Sequence, residues 1–105
     1  MSVRLSPSAY ADVDRVFQWY ETQRPGLGRQ FVERVDEAIA RIERNPLAHA
    51  ALVRDARRVN LKQFPYGLWY TVRENGEIVI ACLHHRRDPR LVKERMKGVI
   101  KFPEP

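Results

Sequence analysis

The spacing of apolar residues changes once along this 105-residue chain, near its middle. Up to Ile42 they recur every three or four positions, and between Val59 and Val72 they alternate with polar residues, before a continuous apolar run at residues 78–83. These two spacings fit different backbones, because side chains return to one face after about 3.6 residues on a helix and after about two on a strand. The change therefore predicts helices followed by a sheet, which is an α+β domain.

The first half is expected to form two amphipathic helices with a short link between them. Ser6 can cap the first helix and Pro7 suits its first position, so this helix should cover residues 7–23 and end at "RPGLG". The second should begin at Leu27 and stop at the "NP" dipeptide that ends at Pro46. The apolar faces consist of Tyr10, Val13, Phe17 and Tyr20 in the first helix, and of Phe31, Val35, Ala38, Ile39 and Ile42 in the second. The two helices should pack as an antiparallel pair.

Four segments are typical of β-strands: residues 3–5, 59–61, 68–72 and 78–83. Asn75 and Gly76 lie between the last two and favour a tight hairpin, since both residues tolerate a positive φ. A loop is expected at about residues 46–55, and Asp88 and Pro89 can open a short last helix. The predicted order is β-α-α-β-β-β, with an antiparallel sheet packed against a two-helix hairpin and a short C-terminal helix.

The net charge of +6 comes entirely from the second half of the chain. Residues 1–53 carry seven arginines and seven acidic residues, whereas residues 54–101 carry twelve basic and five acidic residues. Most of the basic residues are arginines, whose planar guanidinium suits phosphate and carboxylate groups. This surplus favours an acidic or polyanionic partner.

The length of the chain supports one hydrophobic core and therefore one domain, residues 1–105. No segment approaches the roughly 18 apolar residues of a membrane span, and the first residues contain no apolar signal core. We therefore expect a cytoplasmic protein without membrane contact. The single cysteine excludes an internal disulfide.

The stretch "CLHHRRDP" combines three potential metal ligands with two arginines. Cys82 and His84 should share one face of a strand, whereas His85 should point to the other, and a structural zinc site needs four ligands. We therefore expect no metal and no other cofactor, and we interpret Cys82 as a small buried residue. His84 is equally compatible with a structural hydrogen bond at a strand end.

Three segments together resemble the RelE/ParE superfamily of toxins from type II toxin–antitoxin systems. They are "YETQRPGLGRQF", "RRVNLKQFPYGLWYTV" and "IVIACLHHRRDP", and the resemblance runs from about residue 3 to 97. It implies a single toxin domain that causes growth arrest, a role in plasmid stabilisation, and a toxin–antitoxin hetero-oligomer with a cognate antitoxin. The target implied is DNA gyrase in the ParE branch, and mRNA on the ribosome in the RelE branch.

The ParE branch fits this chain better than the RelE branch. RelE-like ribonucleases carry an arginine on a central strand after an aromatic residue, where this chain has Gly67. They also use a tyrosine or a histidine near the C-terminal end, and the tyrosine is missing here. We therefore expect a gyrase inhibitor without catalytic residues rather than an enzyme. The alternative is a ribosome-dependent endoribonuclease with His84 or His85 as general base and arginines on the phosphate. A third possibility is an inactive member that binds only its antitoxin.

Two binding surfaces follow from this interpretation. A basic face for a protein or nucleic-acid partner is expected to contain Arg57, Arg58, Lys62, Arg86, Arg87 and Arg90. Trp19, beside the apolar face of the first helix, is expected at the groove where an antitoxin helix docks. The aromatic residues of "FPYGLWY" are expected in the core rather than as stacking surfaces for bases.

Overall fold

The computed structural model describes residues 3–101, with side chains as far as residue 97. Its elements in chain order are β1 (Val3–Leu5), α1 (Pro7–Gln23), α2 (Leu27–Arg44), β2 (Ala51–Val53), β3 (Ala56–Asn60), β4 (Tyr66–Arg73), β5 (Gly76–His84) and α3 (Arg90–Lys101). The predicted α+β class, the helix pair and the final helix are confirmed. Both long helices have the predicted bounds, and the Ser6 hydroxyl accepts a hydrogen bond from the Ala9 amide at 3.1 Å, as expected of a cap.

The sheet has five strands in the order β1-β5-β4-β3-β2. It is mixed, because β1 runs parallel to β5 while the other neighbours are antiparallel. The helix pair returns the chain to the end of the sheet where β1 finishes, so β2 runs opposite to β1. The chain then reverses its direction three times, from β2 to β3, from β3 to β4 and from β4 to β5, so that β5 runs parallel to β1.

Strand β2 lies in the segment that the sequence pattern assigns to a loop. It has only three residues, and it joins the sheet through backbone pairing of Ala51 with Arg57 and of Val53 with Ala56. Two of its three side chains are exposed, so no alternation marks it in the sequence. Backbone pairing at an edge leaves little trace in the order of side chains.

The helix pair covers one face of the sheet. Phe31, Val35 and Ile42 of α2 are buried there with Leu68 and Tyr70 of β4. The two helices approach closely at Gly28, where an added Cβ would lie 2.7 Å from the Phe17 carbonyl oxygen. A larger side chain at this position would force the helices apart.

The other face of the sheet is covered by α3. Val92 and Met96 pack against Trp69, Ile80 and Leu83 in a second apolar cluster. The Asp88 carboxylate accepts a hydrogen bond from the Arg90 amide at 2.9 Å, so Asp88 caps the first turn of α3 as predicted. No helix within residues 3–101 is both long and apolar enough to cross a membrane.

A bulge in β5 interrupts the sheet beside α1. Trp69 pairs with Ala81 and Tyr70 with Val79, so Ile80 has no partner across the strand pair. On the edge of β5 that faces β1, strand pairing stops where Leu5 lies opposite Val79. Beyond this point, side chains instead of a strand form hydrogen bonds with the backbone of β5. The Asp12 carboxylate accepts from the Cys82 amide at 2.9 Å, and the Arg95 guanidinium donates to the Ile80 carbonyl at 2.9 Å.

Candidate functional site

A small basic cleft lies where β5 ends and turns into α3. Its volume is about 20 Å³. We define the basic cleft by the residues that line it, which are Arg58, Trp69, Leu83, His84, His85, Arg87, Pro89 and Val92. The structure thus places one arginine of β3 beside the "HHRRDP" turn.

Arg58 reaches the basic cleft because the neighbouring strand has no side chain at Gly67. A Cβ at that position would lie 2.9 Å from Arg58 Cδ and 3.0 Å from its Cγ. The guanidinium then lies over the indole of Trp69, with its central carbon 5.4 Å from the ring centroid. The absence of a side chain at Gly67 therefore leaves room for the side chain of Arg58.

The turn that carries His85 and Arg87 is held by hydrogen bonds. The His85 amide donates to the Pro65 carbonyl at 3.0 Å, and the Arg87 amide donates to the His84 carbonyl at 2.9 Å. The His84 Nδ1 accepts a hydrogen bond from the Arg86 amide at 3.1 Å. The His84 ring also stands edge-on to Tyr66 at 5.2 Å between centroids.

The positive charges of this region are mostly free of carboxylates. Within residues 3–97, no Asp or Glu oxygen lies within 4.0 Å of a nitrogen of Arg58, Arg86 or Arg87. Arg90 differs, because it binds Asp88 at 2.7 Å. Hydrogen bonds from Arg90 lower the pKa of Asp88. Three cations therefore remain available to a partner.

The other predicted basic residues do not all belong to this surface. Arg57 points to the helix-pair side, where it donates to the carbonyls of Leu47 and His49. It stabilises the loop before β2. Lys62 is exposed in the loop that precedes β4, at the same end of the sheet as the basic cleft.

Cys82 lies in the helix-pair core and is 2% exposed, which confirms its interpretation as a small buried residue. Burial raises the pKa of its thiol to about 12, and the nearby Asp12 carboxylate acts in the same direction. His85 lies instead on the exposed turn. In the described part of the chain, no group of three or more His, Cys, Asp or Glu residues is arranged to hold a metal ion.

A second surface is an open apolar groove of about 760 Å³ between α1, α2 and β1. We define the helix groove by its lining residues, which are Arg4, Leu5, Tyr10, Val13, Asp14, Phe17, Val32, Val35, Asp36 and Ile39. Tyr10 is 69% exposed although it belongs to the predicted apolar face of α1. The stripe of α1 that is buried against the sheet contains Ala9 and Val16 instead.

Sequence reasoning treated the apolar residues of α1 as core and therefore missed the helix groove. The sequence did contain a signal for this groove, since Tyr10 and Phe17 make the apolar stripe of α1 wider than one packed face needs. Trp19, the residue expected at an antitoxin groove, does not line this one. It is 56% exposed and packs edge-on against Tyr20, with centroids 5.0 Å apart.

The aromatic prediction for β4 and the preceding loop is largely confirmed. Phe64, Trp69 and Tyr70 are buried, and Tyr66 is half-buried. The Tyr70 hydroxyl donates to the Pro46 carbonyl and also contacts Nδ1 of His49 at 3.2 Å. These rings therefore support the fold, and Trp69 also lines the basic cleft beneath Arg58.

Comparison with known proteins identifies the family. The family model described as "ParE toxin of type II toxin-antitoxin system, parDE" matches residues 3–89, which include all five strands and both long helices. A solved structure of the chromosomal ParDE toxin–antitoxin system from P. aeruginosa has a similar fold, with a TM-score of 0.72 and 19% sequence identity over 80% of this chain and 95% of that one. A search of curated protein sequences finds no match. The chain belongs to the ParE family of toxins of type II toxin–antitoxin systems.

Proposed function

We propose that this ParE-family toxin inhibits DNA gyrase and is held inactive by a cognate antitoxin. The observation that carries the proposal is the family match over residues 3–89. Gly67 supports it, because it stands where a ribonuclease of the RelE branch has a catalytic arginine. The toxin then acts by binding its target, not by chemistry of its own.

The helix groove is our proposed docking surface for the antitoxin. Toxins of this family are paired with an antitoxin, and a groove with an apolar floor suits the apolar face of an amphipathic helix. Arg4 stands in the wall of the groove together with Asp14 and Asp36, so charged side chains of the antitoxin can fix its direction. The toxin and antitoxin then form a hetero-oligomer.

A supercoiling assay with purified gyrase tests the proposed target. The toxin is expected to lower supercoiling activity and to increase the amount of cleaved DNA, and an excess of antitoxin is expected to restore activity. If supercoiling and cleavage are unchanged while induced cells still stop growing, gyrase is not the target. Growth that continues normally after induction would instead identify an inactive, antitoxin-binding member.

Ribosome-dependent mRNA cleavage is a second candidate, favoured by one observation. His84 and His85 line the basic cleft together with Arg58 and Arg87, so an imidazole and guanidinium groups lie within one small site. Primer extension on mRNA after induction distinguishes the two functions. Cuts in ribosome-bound codons that disappear in a His85→Ala or His84→Ala variant would establish cleavage, and their absence would eliminate it.

A further inference from the structure

We propose that the basic cleft binds a phosphate group of a nucleic-acid backbone. The strongest support is its charge. Arg58 and Arg87 both line the cleft, and neither has a carboxylate within 4.0 Å in residues 3–97. Guanidinium groups form charge-assisted hydrogen bonds with phosphate oxygens. The cavity of about 20 Å³ admits one group of the size of a water molecule, such as a single phosphate oxygen.

The cleft is organised before any ligand binds. Arg58 lies along the bare backbone of Gly67 and over the face of Trp69, which restricts its side chain. Arg87 stands on a turn whose amides are bonded to Pro65 and His84. Because less conformational freedom is lost on binding, such preorganised cations contribute more to affinity than mobile surface charges.

The surroundings of the cleft favour a chain of phosphates over a single carboxylate. Arg86 is exposed on the same turn, and Lys62 is exposed at the same end of the sheet. Asp88 is the acidic residue of that turn, and it is bound to Arg90. Several cations at one end of the sheet fit a ligand that carries more than one negative charge, as a nucleic-acid backbone does.

The helix groove does not overlap with the basic cleft. The groove is formed by α1, α2 and β1, whereas the basic cleft is closed by the first turn of α3 on the other face of the sheet. A toxin whose antitoxin docks in the helix groove can therefore contact DNA at the basic cleft. The role of that contact in a stalled gyrase complex rests on the proposed function, but the binding itself is measured without gyrase.

The test is fluorescence anisotropy with the purified full-length toxin and a labelled DNA duplex of about 20 base pairs, at salt concentrations from about 50 to 200 mM. We expect Arg87→Gln and Arg58→Gln each to weaken binding roughly tenfold and to reduce the slope of log affinity against log salt by about one. Arg29→Gln and Arg44→Gln are matched controls, since both arginines are exposed on α2. They remove the same charge and are expected to change affinity less than about twofold.

A Gly67→Ala variant tests the geometry of the cleft without changing any charge. The new Cβ would meet the flexible side chain of Arg58, which must move from its place over Trp69. We expect DNA affinity to fall toward that of Arg58→Gln while the protein still folds, as judged by circular dichroism. Arg87→Gln keeps the test valid if this variant is unstable, because Arg87 is exposed and has no side-chain contacts that the fold needs.

Three further probes identify the ligand class. Single-stranded DNA and RNA of the same length reveal which backbone is preferred, and binding of any of the three through Arg58 and Arg87 supports a phosphate site. Poly-L-glutamate is the carboxylate control. The proposal is overturned if polyglutamate competes as well as DNA at equal charge, or if the control arginines matter as much as those of the cleft.

Discussion

At the scale of single residues, the reactivity of the Cys82 thiol is determined by its surroundings. Its thiol lies in the core, and its amide binds the Asp12 carboxylate at 2.9 Å. Both burial and this negative charge oppose formation of a thiolate, so the pKa of the thiol rises from 9.0 to about 12. Cys82 is therefore inert at neutral pH, neither a nucleophile nor a ready metal ligand.

The raised pKa of Cys82 predicts a loss of stability in alkali. Below pH 9 the thiol is protonated in the folded and unfolded chains alike. Between pH 9 and about 12 the unfolded thiol loses its proton while the folded one keeps it, so the free energy of unfolding falls as pH rises. The fall contributed by this thiol is at most about 1.4 kcal/mol per pH unit. Urea unfolding between about pH 8 and 10.5 measures it.

A Cys82→Ala variant is the control for this prediction. The hydroxyls of the half-buried Tyr20 and Tyr66 and of the buried Tyr70 also have raised pKa values, caused mainly by burial, and add a loss in the same direction. The variant removes the part that belongs to the thiol, together with the smaller effect that Cys82 has on the pKa of Tyr66, and keeps the part that comes from burial of the tyrosines. Its stability should therefore depend less steeply on pH than that of the wild type. Equal slopes would contradict a buried, protonated Cys82.

His49 predicts the opposite dependence in acid. Burial lowers the pKa of its imidazole, and the positive charges of Arg41 and Arg57 lower it further. Below about pH 6.5 the unfolded histidine takes up a proton more readily than the folded one. We expect the free energy of unfolding to fall as pH drops from about 7 to 5, and to fall less in His49→Asn. Chemical unfolding at each pH measures the difference, and identical acid profiles would exclude this role.

At the scale of secondary-structure elements, a buried ion pair fastens α1 and α3 to the edge of β5. Asp12 is 1% exposed and binds two nitrogens of Arg95, at 2.9 and 3.1 Å. The same two residues satisfy backbone groups of Cys82 and Ile80 beyond the end of β1. This arrangement closes an open strand edge and removes a site where a foreign strand could pair.

Breaking this ion pair is expected to be costly. Asp12→Asn removes the charge that Arg95 and the exposed Arg15 both face, and we expect a loss of about 3 kcal/mol in the free energy of unfolding, because the largely buried Arg95 loses its carboxylate. Asp14→Asn, at an exposed position of the same helix, should change it by less than about 0.5 kcal/mol. Urea unfolding provides both values.

A double variant separates the ion pair from the other contacts of Asp12. If Asp12 and Arg95 act as a pair, Asp12→Asn combined with Arg95→Met should cost clearly less than the sum of the two single changes. Additive costs would mean that the other contacts of Asp12, with the Cys82 amide and with Arg15, dominate instead.

At the scale of the whole molecule, two surfaces of different chemistry lie on opposite faces of the sheet. The helix groove is apolar and lies on the side of α1 and α2, whereas the basic cleft lies on the side of α3. This separation agrees with the charge distribution, since the surplus of basic residues is confined to the second half of the chain. A neutralising partner and a target can therefore be recognised by different chemistry.

Antitoxin binding is predicted to depend on Tyr10 and not on Trp19. Tyr10→Asp places a charge in the helix groove, and we expect affinity for the cognate antitoxin to fall by about 2 kcal/mol, or roughly thirtyfold. The melting temperature should change little, because Tyr10 is 69% exposed. Trp19→Ala is the matched control outside the groove, with an expected change below about threefold. Isothermal titration calorimetry measures both, and a larger loss at Trp19 would move the docking surface to that residue.

Much of this protein follows from its sequence alone. The two long helices, the hairpin between β4 and β5, the burial of Cys82 and the membership of the ParE family were all predicted from it. The turn of the hairpin lies one residue earlier than predicted, at Glu74–Asn75, because Gly76 already pairs with Arg73. Helix caps, turns and the periodicity of apolar side chains depend on residues a few positions apart, so they can be recognised in the linear chain.

Only the tertiary structure decided which residues meet. It turned the side chain of Arg57 toward the loop before β2 and that of Arg58 toward the basic cleft, buried Asp12 against Arg95, and placed Tyr10 in the lining of the helix groove. It also added β2 and set β1 parallel to β5. Asp12 and Arg95 are 83 residues apart in the chain, and neither carries a local sign of the other. Contacts of this kind depend on how the elements pack, because burial and backbone pairing bring together groups that no short sequence pattern connects.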